Sequence, residues 1–191
     1  MSCRDTFELY SIEMKRLSMT IVEYMGKALK MDEKEMIIFE DGRQSIRINY
    51  YPPCPQPEKV IGLTPHSDAS GLTILLQLND VQGLQVRKDG MWVPVKPLPN
   101  AFIVNIGDIL EIVTNGIYRS IEHRAIVNSA KERLSIATFC TIRHNGKVGP
   151  APSFITEETP AQFKTIGFEE YVRNVFLRKL DGKSYLDAMR T

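Results

Sequence analysis

The stretch Gln44-Ser45-Ile46-Arg47-Ile48-Asn49-Tyr50-Tyr51, closed by Pro52-Pro53-Cys54-Pro55-Gln56-Pro57, decides the fold class. Side chains of an extended chain alternate between faces, which puts Ile46, Ile48 and Tyr50 on one side and Arg47, Asn49 and Tyr51 on the other. The proline run cannot be helical and ends the strand. Further short, turn-separated strands are expected at 63–68, 72–78, 84–86, 92–95, 102–106, 120–127 and 134–140, with Asp89-Gly90 as a hairpin turn. The chain therefore reads as mainly β with flanking helices, a sandwich or double-stranded β-helix (jelly-roll) barrel.

Outside this region the period changes. Leu9, Tyr10, Met14, Leu17, Ile21, Met25, Ala28 and Leu29 recur at helical spacing, and Asp32 with Glu35 reads as a capping box for a short second helix ending at Phe39. After Pro160, Phe168, Tyr171, Val172, Val175, Phe176 and Leu180 form a second helical stripe that Gly182 stops. Three segments follow: an N-terminal helical segment (1–43), the jelly-roll domain (44–145) and a C-terminal helical segment (146–191).

Composition narrows the function. The 191 residues are 43% hydrophobic and 25% charged, the balance of a globular domain and not of a disordered chain. A formal net charge of +1 leaves no global basic field for nucleic acid or an anionic membrane. The longest apolar run, 101–113, is interrupted by Asn105, Asp108 and Glu111, so no membrane span is expected. The N-terminus does not read as a secretory signal, and three widely spaced cysteines fit neither a disulfide framework nor a thiolate zinc site. A cytoplasmic location is expected.

The chemistry concentrates at few positions. Of three histidines, His66 stands two residues before Asp68, and two such residues on one strand share a face and can hold one ion. With His123 they form a two-His, one-carboxylate set with open metal positions, the frame of non-haem Fe(II) oxygenases. A lone His-x-Asp tripeptide is weak, because this composition yields roughly 0.4 by chance. A strand-end histidine bonded to a turn carboxylate is the competing reading. Arg133 and Ser135 also share a face, and a guanidinium fork beside a hydroxyl suits the remote end of a dicarboxylate. The competing reading is a solvated charge beside Lys131 and Glu132. A hairpin turn at 129–131 would pair position 123 with 137 and 125 with 135, setting this anchor beside the third ligand. Phe139 shares parity with Arg133 and Ser135, so it would face the same cavity and could stack on an aromatic substrate; a plain core role competes. His144 lies in a turn-rich loop and reads as solvated. Gly107-Asp108 reads as a cap feeding a short helix, with no part in catalysis.

In this order and spacing, Asn49-Tyr50-Tyr51-Pro52-Pro53-Cys54-Pro55, His66-Ser67-Asp68, Asn105-Ile106-Gly107-Asp108, Glu111, Asn115-Gly116, His123-Arg124 and Arg133-Leu134-Ser135 carry a resemblance. From about Phe7 to its end, the chain resembles the C-terminal catalytic region of plant 2-oxoglutarate/Fe(II)-dependent dioxygenases. The segments 71–77, 95–102 and 179–184 look most like the branch holding alkaloid O-demethylases and senescence-related oxygenases.

The resemblance implies Fe(II) on His66, Asp68 and His123, the distal carboxylate of 2-oxoglutarate on Arg133 and Ser135, and further co-substrate contacts from Tyr51 and Asn49. It implies dioxygen as the second co-substrate. The expected reaction hydroxylates or O-demethylates a small plant secondary metabolite, with succinate and CO2 as co-products. The alternative is a truncated, non-catalytic relative that binds metal or a partner without turnover. A zinc hydrolase would use the three ligands but has no need of Arg133 and Ser135. Family members carry a further N-terminal region ahead of the helix that begins here. Both long helices are therefore expected on the outside of the larger sheet, with an exposed apolar patch or open strand edge near the start of the first helix, and poor solubility as the consequence.

Overall fold

In the computed structural model, which describes residues 2–191, the alternating segment is strand β1 (Gln44–Tyr51). Seven strands follow where turn residues break the chain: β2 (Ile61–His66), β3 (Leu72–Gln77), β4 (Leu84–Lys88), β5 (Met91–Pro94), β6 (Phe102–Ile106), β7 (His123–Ile126) and β8 (Arg133–Cys140). Asp89 and Gly90 both take positive φ, 50° and 80°, which closes the β4–β5 hairpin with the twist that antiparallel strands need.

Two four-stranded antiparallel sheets result, β1-β8-β3-β6 and β2-β7-β4-β5. Apart from the β4–β5 hairpin, each strand crosses to the other sheet, the winding of a jelly roll. Among the described residues no ladder joins the two sheets, so the expected barrel is not closed by hydrogen bonds. The expected β7–β8 pairing is also absent. β8 already has β1 and β3 on its two edges, so β7 has no free edge to pair with and lies between β2 and β4 instead. The connecting loop crosses the gap, held by Asn128 Oδ1, which accepts from Ala130 N and Lys131 N, and by Cys54 N donating to Asn128 O.

Helix α1 (Cys3–Ala28) packs on the outer face of the first sheet, against β3 and β8. Its fully buried line is Met14, Ser18, Val22 and Gly26; of the expected stripe Met14 is buried, Tyr10, Leu17, Ile21 and Met25 flank the line half-buried against the core, and Leu9 and Ala28 are exposed. Small residues in that line let the backbone approach closely: a Cβ on Gly26 would stand 2.7 Å from Met36 Sδ. The capping box falls at Ser2 and Asp5. At Asp32 only the cap exists, through Lys34 N, because Glu35 turns away to Ser153. Helix α2 (Glu33–Met36) runs on into one 3-10 turn. Where α1 does not reach, Ile48 and Tyr50 of β1 and Phe102 and Val104 of β6 stay exposed on the same outer face, as do Phe7, Leu9 and Ile12 on the helix.

Helix α3 (Asp108–Val113) follows β6 and is entirely buried. The segment 146–191 is not purely helical. It holds a two-stranded sheet of β9 (Lys147–Val148) and β10 (Ile166–Gly167) before α4 (Phe168–Phe176) and α5 (Ser184–Ala188). Helix α4 rests on β9 and β10, not on the larger sheet as expected. The main apolar core takes side chains from all three segments, including Met14, Val22, Leu72, Ile109, Phe163 and Leu186. Between the facing sheets the apolar cluster is small, centred on Leu75, Leu84 and Ala137. The rest of that interior is polar, which marks the site.

Candidate active site

His66 ends β2 and His123 begins β7, and the two are register partners in one ladder. Their ring centroids lie 4.3 Å apart. Each ring has Nδ1 against the carbonyl two residues earlier, Thr64 O at 2.7 Å and Ile121 O at 3.1 Å. That contact holds the proton on Nδ1 and leaves both Nε2 lone pairs free. Both Nε2 atoms lie 3.6 Å from Asp68 Oδ1. Asp68 is not on the strand, which stops at His66, so the two residues converge through the turn after β2 and not through shared strand parity. One ligand atom from each of His66, Asp68 and His123 lies within 4.8 Å of the others, and all three residues are buried. Burial, with His123 alongside, holds His66 below the usual imidazole range, so its neutral, metal-binding form prevails.

A narrow inner chamber of about 50 Å³ runs from these residues between the sheets. Its far wall is Arg133 and Ser135 on β8, with Tyr51 and Asn49 directly opposite on β1. Arg133 is only 3% exposed. Its Nε and Nη2 donate to Gln77 Oε1 and its Nη1 to Ser135 Oγ, and no carboxylate pairs with it among the described residues. The guanidinium lies 5.5 Å from the Tyr51 ring centroid. Burial raises the Tyr51 hydroxyl above the ordinary phenol range, so it stays a donor. Phe139 faces inward and, with Arg47, His66 and Asp68, lines both this chamber and a wide cavity of about 830 Å³ whose far side is α4. The wide cavity is of the size that encloses a small organic ligand.

Three supporting residues escaped the sequence reading. Gln77 orients Arg133, and nothing in its neighbourhood marks it. Gly83 leaves room for Arg133, since a Cβ there would stand 2.5 Å from Arg133 Cδ. Asp108, read as a simple cap, is buried; its Oδ2 accepts from Ser67 Oγ and its backbone N donates to Asp68 O. Burial pushes its carboxyl up to about 6 against the hydrogen bonds from Ser120 and Ser67. The cue was its place inside an apolar run. His144 is half-exposed and pairs with Glu169 at 2.6 Å, away from the site.

Residues 42–142, more than half the chain, match the model of the 2OG-Fe(II) oxygenase superfamily. The chain belongs to that family. It is 61% identical over 188 residues to the oxoglutarate-dependent flavonoid 7-O-demethylase 1 of Ocimum basilicum, covering 98% of this chain and 50% of that protein. It is 60% identical over 189 residues to the codeine O-demethylase of Papaver somniferum, covering 98% and 52%. The chain thus spans about half the length of the curated relatives it matches. The structure of JOX2 in complex with 2OG, Fe and JA superimposes with a TM-score of 0.92 at 39% identity, covering 98% of this chain and 56% of that one. Among the described residues no helix is long and apolar enough to cross a membrane.

The site residues fit an iron ion and 2-oxoglutarate as this oxygenase family uses them. Asp68 Oδ2 is buried without a hydrogen-bond partner among the described residues, which fits a carboxylate oxygen that an ion would satisfy. Arg133 is a buried cation without an acid, and isolating such a charge costs several kcal/mol unless an anion joins it.

Proposed function

We propose that this chain carries the catalytic centre of an Fe(II)- and 2-oxoglutarate-dependent dioxygenase that hydroxylates or O-demethylates a small plant secondary metabolite. The observation that carries the reading is the buried, acid-free Arg133 set in the same chamber as His66, Asp68 and His123. A metal hydrolase has no use for that guanidinium, and neither has a chain that merely binds a partner.

His66, Asp68 and His123 hold the iron, offering two neutral imidazoles and one carboxylate and leaving coordination positions open. Arg133 and Ser135 hold the distal carboxylate of 2-oxoglutarate by charge-assisted hydrogen bonds. Tyr51 donates to the co-substrate and Asn49 borders it. These contacts orient the keto acid toward the open metal positions. When bound, the metal and co-substrate supply the oxidising chemistry: dioxygen is consumed, 2-oxoglutarate becomes succinate and CO2, and one oxygen atom enters a substrate C–H bond. On an O-methyl carbon the product is a hemiacetal, which breaks to formaldehyde and a free hydroxyl. Phe139 presents an aromatic face at the passage from the chamber to the wide cavity, where the substrate's reacting carbon meets the site. His66, Asp68, His123, Arg133 and Ser135 are buried, which limits water around the groups that hold metal and co-substrate.

The O-demethylase relatives support a methoxylated aromatic substrate. Three free cysteines suit a reducing cytoplasm. The test is direct. Anaerobic protein given Fe(II) and 2-oxoglutarate should develop a weak visible charge-transfer band, and a panel of methoxylated flavonoids and alkaloids should release succinate and formaldehyde in step. Absence of the band would remove the reading; the band with succinate but no formaldehyde would select hydroxylation.

A further inference from the structure

The end of β2 at His66, and the turn that carries Asp68, are gripped by a segment more than a hundred residues away. Gly182 N donates to Pro65 O at 3.0 Å, and Ser67 N donates to Gly182 O at 3.1 Å, which makes a parallel bridge at His66. Gly182 has φ +50°. The next residue enters a buried polar knot. Lys183 Nζ donates to Glu111 Oε2 at 2.7 Å and to Ser120 O at 3.0 Å. Glu111 Oε2 also accepts from Ser120 N at 2.7 Å. Ser120 Oγ lies 2.6 Å from Asp108 Oδ1, and Asp108 Oδ2 accepts from Ser67 Oγ at 2.9 Å. Asp108 N closes the path by donating to Asp68 O at 2.7 Å.

The chain of bonds runs from Ser67 and Asp68 through Asp108 to Ser120, three residues before His123. Ser67, Asp108, Glu111 and Ser120 are all buried. Two acids therefore sit in low dielectric; Asp108 is answered by the Ser67 and Ser120 hydroxyls, and the two cations that pair with Glu111, Lys183 and Arg190, both come from the C-terminal segment. Lys183 is the better placed. Its contact is shorter, and its side chain is 24% exposed against 44% for Arg190.

We infer that Lys183 is a positioning residue for the metal centre: its ammonium ties the knot of Glu111, Ser120, Asp108 and Ser67, and so sets the spacing of His66, Asp68 and His123. The inference rests on the metal-binding reading proposed above. Without the ammonium, Ser120 O loses a donor, Glu111 keeps its Ser120 bonds but only the longer Arg190 contact as a cation, and the tie between the C-terminal segment and the segments bearing the ligands loosens. Outer-shell partners of metal ligands act on affinity in this way.

The test is titration of the metal-free full chain with Co(II), read by visible absorption. Lys183→Met should weaken Co(II) binding by about 10–100-fold and change the intensity of the d–d bands at saturation. Lys183→Arg, which restores a cation and donors, should recover most of both. Lys164→Met is the matched control: Lys164 Nζ holds Ala188 O in the same C-terminal segment without touching the knot, so affinity and spectrum should stay as in wild type. A purely structural role for Lys183 would lower the melting temperature and leave the saturated spectrum unchanged. A folded Lys183→Met chain with wild-type affinity and bands would overturn the inference alone. A wild-type chain that binds no Co(II) would overturn the metal reading and this inference together. If Lys183→Met does not fold, Lys183→Met with Glu111→Gln, which removes both members of the ion pair, is held to the same two readouts.

Discussion

Gln77 Oε1 accepts two hydrogen bonds from one guanidinium, Arg133 Nε at 3.1 Å and Nη2 at 2.9 Å. The amide cannot swing away, because its Nε2 donates to Asn79 O and Val81 O, both at 2.7 Å. A neutral side chain thus aims a buried cation without neutralising it. That leaves the positive charge available to a ligand, and a carboxylate in place of Gln77 would cancel it.

Replacing Arg133 with Leu should remove that anchor while sparing the metal ligands. The loss of a charge-assisted pair in a dry site is worth about 2–5 kcal/mol. The 2-oxoglutarate concentration needed for half-maximal turnover should rise accordingly, with Co(II) affinity unchanged. Equal 2-oxoglutarate dependence in wild type and variant would take Arg133 out of the site.

Metal should stabilise the fold through the three ligands. At a free-ion concentration 100 times the dissociation constant, the gain is about 2.7 kcal/mol. For a chain of this length that raises the melting temperature by roughly 5–10 °C. Asp68→Ala should abolish the shift, and chelation should return wild type to the metal-free value. Calorimetry with and without Mn(II) decides it.

Gly83→Ala probes the fit around Arg133. The new Cβ would stand 2.5 Å from Arg133 Cδ and 3.0 Å from the Ile126 carbonyl oxygen. Overpacking of this kind costs about 1–3 kcal/mol, which urea unfolding will show. Binding of 2-oxoglutarate should weaken as well, since the Arg133 side chain, and not the Ile126 backbone, is the neighbour that must shift from its bonds to Gln77. A variant unchanged in both would mean that the wall yields elsewhere.

Phe139→Leu keeps apolar bulk at the passage between the two cavities and removes the aromatic face. For an aromatic substrate, KM should rise by the stacking contribution, about 0.5–1.5 kcal/mol, with the 2-oxoglutarate requirement held. A matching rise in both would place Phe139 on the co-substrate.

Strand existence and face were legible because alternation and turns are local. The run 44–51 and the Asp89-Gly90 turn could be read directly, and parity alone put Asn49, Tyr51, Arg133, Ser135 and Phe139 on one inward face. The candidate ligand set was legible because few residue types can hold iron and this chain has three histidines; the structure brings His66, Asp68 and His123 together. Partner choice was not local. The β7–β8 hairpin suggested by Ser129-Ala130-Lys131 gave way because β1 and β3, distant in sequence, occupy both edges of β8. Likewise the centre of the face that α1 buries is a line containing Ser18 and Gly26, where the backbone approaches closely, with Tyr10, Leu17, Ile21 and Met25 of the apolar stripe packed beside it.

Residue chemistry and spacing therefore determined which side chains could hold a metal and a dicarboxylate. Only the tertiary structure decided how they are held. Asp68 reaches the histidines through a turn, Gln77 aims Arg133, and Lys183 arrives from the far end of the chain to close a knot behind the ligands. Periodicity reports one face of one element, whereas hydrogen bonds between buried groups depend on which distant segments share the space.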